Sequence, residues 1–416
     1  MNFSGKVRDE FSFVRGNYLI LVLSWVLIDF ASEMPSLYYG PFVIYDLGAT
    51  AVILGLIGFL QTIVLAVVQF PGGYLADRYG RRWLISTLTF GLALSFLFFV
   101  FAPTWHWILI GAIIGSACLI YQPALLAMIA DSTPPEKRGM AFSITTLIAN
   151  VATTPAPIVA GILVTLYARA MGMRISYSVA VALFFAAALL RLRLKETIKT
   201  DEKIRPRDLL ATYPQAIRES IAVWKTVPRS MFFLFISNLI ITFALSLAQL
   251  FFSVYAVEGE KSVLHLSQLD WALVSTLLFL TMILAAIPIG KSIDRIGRKI
   301  PLLLSHIVMI PGILLFVYGN LATVFIAMPL IGLTQLLFLS SFQSLQADLV
   351  PREKRAKVIG FSQFVNYVFM AFGMLAGGVI YSFNPQLPFL LLLTAAIPSF
   401  LVITFLVHEA EKREAG

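Results

Sequence analysis

Asp29 and Glu33 lie four positions apart inside a long apolar run, residues 18–42. Helical spacing puts both carboxylates on one face, and Trp25, Ser32, Ser36 and Gly40 extend that face. A carboxylate inside a hydrocarbon layer is costly and marks function more often than architecture. Two so close titrate as a coupled pair. Such a pair can take up a proton on one side, release it on the other, and exchange it for a bound solute. Pro35 loosens the helix just beyond Glu33, which suits a moving gate.

The element that must carry these acids follows from composition. The 416 residues are 59% hydrophobic and 13% charged, against about 45–50% apolar and about 25% charged in ordinary soluble proteins. A soluble enzyme could not hide that much apolar surface, and a disordered chain would have little of it. The solvent is therefore lipid, and the fold class is an all-α membrane protein. A spanning helix needs about 20 largely apolar residues. Twelve runs qualify: 18–42, 51–75, 84–102, 106–130, 139–166, 174–194, 229–256, 270–290, 301–319, 322–346, 356–383 and 387–408. The first follows Lys6, Arg8 and Arg15 and is too long for the core of a cleaved signal, so it is expected to be retained.

Most links are short. The exception divides the chain into a six-span half (1–194), a linker (195–228) and a second six-span half (229–416). Within the linker, Leu210, Tyr213, Ile217, Ile221 and Trp224 recur at helical spacing and predict an amphipathic helix on the membrane surface, interrupted at Pro214. Every basic residue except Arg169, Arg174 and Lys261 falls on one side of this topology. By the positive-inside rule both termini and the linker are cytoplasmic, and a cell membrane is the expected location. The net charge of +9 then reports topology, not a nucleic-acid partner. Arg191 and Arg193 are counted with the flank of the linker, so no base is expected in a span core. The single cysteine, Cys118, excludes an intramolecular disulfide.

The chain repeats. Gly73-Tyr-Leu-Ala-Asp77-Arg-Tyr-Gly80-Arg81-Arg82 joins spans two and three, and Gly290-Lys-Ser-Ile-Asp294-Arg-Ile-Gly297-Arg298-Lys299 joins spans eight and nine, 217 residues later. Asp131 through Arg138 follows span four, and Asp348 through Arg355 follows span ten, at the same offset. Two unrelated motifs at one offset make the halves parallel repeats, as in transporters whose halves rock about a central site.

The glycine–aspartate–glycine–arginine signature, present in both halves, resembles the hallmark of the major facilitator superfamily. The Asp-x6-Arg stretches resemble that superfamily's acidic-x6-Arg elements, with Asp where many members have Glu. Asp77 sits before a helix N-terminus, which favours its charge. Gly80 allows a tight turn, and Arg81 and Arg82 can reach Asp131. The resemblance implies two pseudo-symmetric six-helix bundles. It also implies a conformational latch of Gly73, Asp77, Gly80, Arg81, Arg82, Asp131, Arg138, Asp294, Arg298, Asp348 and Arg355 that holds the cytoplasmic ends together when the cavity opens outward.

The resemblance further implies that spans one, four, seven and ten line a central cavity. Substrate-binding candidates there are Trp25, Tyr121, Gln122, Asn238, Thr242, Gln249, Gln335 and Gln343. With two acids, many Phe and no base expected inside, a cationic or a neutral lipophilic solute fits better than an anion. Acidic residues on span one also resemble the drug/proton antiporter groups. Asn150-x4-Pro155-Ala156-Pro157-x3-Gly161 is a worn version of their Gly-Pro signature, which leaves the direction of transport open. No Gly-x4-Gly-Lys-Ser/Thr loop exists, so the energy source is expected to be an ion gradient. His106, His265, His306 and His408 are scattered and form no metal-ligand cluster in sequence. The expected protein is a monomeric, cofactor-free, proton-coupled exporter that is not an enzyme and whose partners are a small molecule, protons and the bilayer. Proton-coupled import of a neutral sugar or peptide, or lipid flipping on the same fold, are the alternatives.

Overall fold

A computed structural model describes residues 13–198, 218, 221–222, 224–260 and 262–409, without the side chains of 70–79, 139, 143, 146, 150 and 352–357. Leu210, Tyr213 and Ile217 of the expected linker helix lie outside the described residues, as do the side chains of Gly73, Asp77, Asn150 and Arg355.

Lipid offers no partner to a backbone amide, so each crossing segment must satisfy its own N–H and C=O groups. The chain does so with long helices: α1 (Gly16–Ser36), α2 (Ala51–Tyr79), α3 (Arg81–Val100), α4 (Trp105–Asp131), α5 (Arg138–Thr153), α6 (Ala156–Arg191), α7 (Arg229–Gln249), α8 (Gln268–Ile296), α9 (Lys299–Val317), α10 (Leu321–Leu349), α11 (Arg352–Phe383) and α12 (Leu387–Leu406). Hydroxyls inside them mostly bond back to their own helix, as Ser32 does to the Ile28 carbonyl at 2.8 Å and Thr276 to that of Ala272 at 2.8 Å.

Several boundaries differ from expectation. The span expected at 18–42 ends at Ser36, and Gly40 lies beyond it in a separate short helix, Tyr39–Pro41, so it does not extend the face of α1. The span expected at 139–166 stops at Thr153, where Pro155 and Pro157 cannot continue the ladder. Helix α6 then holds the rest of that span and all of the next, joined at Ala168, whose φ of 60° and ψ of 160° turn the chain. The span expected at 229–256 ends at Gln249 and is followed by a separate short helix, Phe252–Ala256. Helix α4 contains a tight 3₁₀ turn at Leu119–Tyr121, just before Pro123, which has no N–H to donate.

The chain forms two compact units, Met1–Leu37 with Val67–Tyr213, and Tyr38–Ala66 with Pro214–Gly416. Within the first, α1 packs on α4, α5 and α6, and α3 packs on α4 and α6. Within the second, α7 packs on α10, α11 and α12, and α9 packs on α10 and α12. Adding six to each helix of the first set reproduces the second, so the sequence repeat is a repeat of packing. In the second unit the first half of α2 meets α11 backbone to backbone. A Cβ on Gly378 would lie 2.6 Å from the Ala51 carbonyl oxygen, and one on Gly55 2.6 Å from that of Met374. Only small residues allow this approach.

Candidate functional site

The acids sit on α1 as the spacing predicts. Asp29 and Glu33 are both partly buried. The Trp25 side chain hydrogen-bonds to Asp29. The Ser36 hydroxyl lies 2.7 Å from the Glu33 carbonyl oxygen and 3.2 Å from its carboxylate. The polar face of α1 therefore exists, and its members bond to one another.

Arg191 corrects the expectation that no base enters the bundle. It is 1% exposed. Its Nε donates to Ser24 Oγ at 3.0 Å and its Nη1 to Thr89 Oγ1 at 2.7 Å. Its guanidinium carbon stands 5.0 Å from the centre of the Tyr121 ring. Ser24 and Thr89 spend their own protons on the Leu21 and Ile85 carbonyls, which leaves oxygen lone pairs for the guanidinium. The charge of Arg191 also acts on Asp29. The physical reason is direction. Side chains on a helix lean toward its N-terminus, so an arginine in the last turn of α6 reaches back between α1, α3 and α4. A base at a span end reads in sequence as a topological signal, and nothing in the spacing separated Arg191 from Arg193.

The ends bearing the basic links are paired alike in the two units. Arg81 forms an ion pair with Asp131, and Arg298 Nε lies 2.9 Å from Asp348. Both pairs join the same two links of their own unit at the 217-residue offset. Gly80 and Gly297, also 217 apart, have φ of 93° and 89°, the left-handed region that glycine adopts without strain. Arg82 donates to the Leu192 carbonyl at 3.1 Å, and Lys299 to that of Thr404 at 2.8 Å, so each braces the carboxyl end of the neighbouring helix. Arg138 Nε donates to the Ala130 carbonyl at 3.0 Å. Asp294 is exposed.

Two acids that the offset did not find complete these clusters. The Glu196 carboxylate accepts from the backbone N–H groups of Arg81 and Arg82, at 3.2 and 2.9 Å. The Glu409 carboxylate accepts from those of Arg298, at 2.6 Å, and Lys299. Each caps the start of α3 or α9, where unpaired N–H groups and the helix dipole favour an anion. Glu196 and Glu409 are 213 residues apart, not 217. The same 213 relates Asn17, whose amide is bonded both ways to the Lys195 backbone, to Ser230, which accepts from His408 N–H at 3.1 Å. The repeat slips by four residues, about one helical turn, so faces are kept while a single fixed offset is lost. A search at 213 would have found both caps. Glu409→Ala should lower unfolding stability by about 1–2 kcal/mol, measured by denaturation in mixed micelles, and Glu409→Gln by less. An unchanged midpoint for Glu409→Ala would remove the cap assignment.

The structure sorts the polar candidates. Thr242 and Gln335 line one cavity in the second unit. Tyr121 is 2% exposed and lies beneath Arg191. Asn238 donates to Asn366 at 2.8 Å, and Gln69 to Gln122, so these tie helices together. Gln249 and Gln343 are exposed and do not line that cavity.

A family profile described as Major Facilitator Superfamily matches residues 21–263 and 234–416. An uncharacterized MFS-type transporter, YqjV, of Bacillus subtilis is 28% identical over 112 residues, a match spanning 27% of each chain. The multi-drug resistance efflux pump PmrA of Streptococcus pneumoniae is 23% identical over 321 residues, 74% of each chain. Among solved structures, a POT family transporter in complex with 5-aminolevulinic acid superposes with a TM-score of 0.72 at 15% identity, over 93% of this chain and 95% of that one. That likeness is one of fold.

Proposed function

The chain belongs to the major facilitator superfamily of membrane transporters, and on that premise we propose that it is a proton-coupled exporter of lipophilic or cationic small molecules from the cytoplasm across the cell membrane. The observation that carries this reading is the pair Asp29 and Glu33 on one face of α1, partly buried and bonded to Trp25 and Ser36. Carboxylates at this depth take up and release protons as the site changes access. A carboxylate that has lost its proton attracts a cation, and a protonated one releases it. The likeness to a multidrug efflux pump supports the direction of transport. The paired clusters Arg81–Asp131 and Arg298–Asp348 serve in this reading as the latch, holding their ends in one arrangement until the solute and proton shift the population. The basic links and both termini are then cytoplasmic.

Proteoliposomes with an acidic lumen and a membrane potential clamped by valinomycin and potassium test the reading. They should accumulate tetraphenylphosphonium only while the pH gradient lasts. Accumulation that survives collapse of the gradient by nigericin would overturn proton exchange.

Arg191 favours a second reading. Its charge already acts on Asp29, which leaves less unbalanced negative charge to hold a cation. A neutral solute carried together with a proton fits that balance. Uptake of a sugar or peptide that supports growth of a deficient host, with no resistance to toxic compounds, would select it.

A further inference from the structure

The slipped repeat allows the two units to be compared position by position, and the comparison finds one room furnished in two ways. At the 213-residue offset, Ser24 and Asp29 of α1 correspond to Ser237 and Thr242 of α7, and Arg191 of α6 corresponds to Thr404 of α12. At 217, Thr89 of α3 corresponds to His306 of α9, and Tyr121 of α4 to Phe338 of α10. In the first unit the Arg191 guanidinium fills the space between Ser24, Thr89 and the Tyr121 ring. In the second unit the position equivalent to Arg191 holds Thr404 in place of an arginine. Three of the other counterparts, Thr242, His306 and Phe338, line a cavity of about 120 Å³ together with Thr334, Gln335 and Phe252.

We propose that this cavity binds a planar, uncharged, ring-sized molecule carrying one hydrogen-bonding group. The size follows from the volume, since an apolar protein cavity of about 150 Å³ accepts benzene. Planarity follows from the three rings in the wall, Phe252, His306 and Phe338, the last at the position equivalent to Tyr121. Neutrality follows from the walls. Asp29 is replaced by Thr242 and Arg191 by Thr404, and among the described residues no acid, lysine or arginine lines the cavity. The hydrogen bonds of His306 are those of a neutral ring. Its Nδ1 lies 2.9 Å from the Leu302 carbonyl and must donate to it, while Nε2 lies 2.8 Å from the Ser399 hydroxyl, which lies 2.7 Å from that of Ser237. A neutral ring satisfies that chain of bonds, and the residue lines the cavity.

The hydrogen-bonding group follows from Thr334. Its Oγ1 lines the cavity wall, is shut off from solvent, and has no partner among the described residues. A buried polar atom without a partner is uncommon in a native fold, and a ligand hydroxyl or carbonyl would supply one. The remaining wall is Ile, Leu and Met apart from Ser305, whose hydroxyl already donates to the Leu302 carbonyl at 2.6 Å, and it is a poor container for clustered water. The assignment stands apart from the energetics and direction of transport.

Photolabelling of the full-length protein in nanodiscs with 3-azidophenol tests it, with the labelled positions mapped by mass spectrometry. The label is expected on α9 and α10 near Met309 and Phe338, and excess phenol should remove it. Toluene, which has the ring without the hydroxyl, should compete about fivefold less well, the worth of one neutral hydrogen bond. Thr334→Val, nearly isosteric and breaking no hydrogen bond among the described residues, should weaken phenol by the same factor and leave toluene unchanged. Ile331→Trp, which fills the cavity, should abolish labelling. Label scattered over outward-facing helix positions and insensitive to phenol would overturn the proposal. So would phenol competing equally in wild type and Thr334→Val, which would describe a cavity that takes any apolar group, an acyl chain included.

Discussion

Replacing Asp29 by Asn together with Glu33 by Gln should reduce pH-driven solute flux in proteoliposomes to the rate of protein-free vesicles. The two changes keep shape and hydrogen-bonding capacity while removing every proton that α1 can carry at depth. If export exchanges protons for solute at these carboxylates, nothing else in the described part of α1 replaces them, since its other polar side chains are Asn17, Tyr18, Ser24, Trp25, Ser32 and Ser36, none of them a carboxylate. Downhill movement of solute without a proton gradient should persist, because the rocking of the two repeats does not itself consume a proton. The single variants separate the roles. Glu33→Gln leaves the Asp29–Arg191 interaction in place and should retain measurable coupling, whereas Asp29→Asn removes it and should not. Wild-type gradient-driven flux in the double variant would sink the coupling assignment while leaving the fold and the family untouched.

The second large effect is on stability. Arg191→Met should lower unfolding stability by about 3 kcal/mol, because it removes two charge-assisted hydrogen bonds to buried hydroxyls. The arginine holds Ser24 and Thr89 through two charge-assisted bonds and lies against Tyr121, so four helices of the first unit meet at one group. Methionine fills most of the volume but removes both hydrogen bonds and the weaker attraction that the guanidinium exerts on Asp29. The double variant Arg191→Met with Asp29→Asn should therefore regain part of the loss, and the pair should be non-additive by about 0.5–3 kcal/mol. Arg191→Lys should fall between, since an ammonium is a point charge and cannot reach two hydroxyls with a planar fork. Denaturation of purified protein in mixed micelles reads all four. Strict additivity, or an Arg191→Met protein as stable as wild type, would show that the buried guanidinium is not coupled to Asp29.

Much of this site was legible in residues alone. Asp29 and Glu33 declared themselves because a bilayer excludes charge, so an acid in the middle of an apolar run is conspicuous at any position. Arg81 with Asp131 and Arg298 with Asp348 were legible because the same spacing occurs twice, and the structure closes both pairs. Gly80 and Gly297 were legible because only a special backbone conformation calls for glycine at a helix junction, and both have positive φ. Glu196 and Glu409 escaped because the repeat slips by one helical turn between the links and the ends of α6 and α12. A carboxylate that caps a helix needs only to arrive in space, not to keep a count along the chain.

What the sequence by itself determined is everything that depends on matching a segment to its solvent: the number of spans, their apolar stretches, the pairing of halves, and the two acids that violate the pattern. What only the tertiary structure decided is the course of long side chains at helix ends and the filling of the space between helices. Arg191 could have pointed to water like its neighbour Arg193, and it enters the bundle because Ser24, Thr89 and Tyr121 from three other helices converge on it. At the equivalent position the second unit has Thr404, too short to reach in the same way, and that unit holds a cavity among Thr242, His306 and Phe338. Such outcomes depend on four helices at once, and periodicity along one chain carries no information about which atoms of the other three will be within reach.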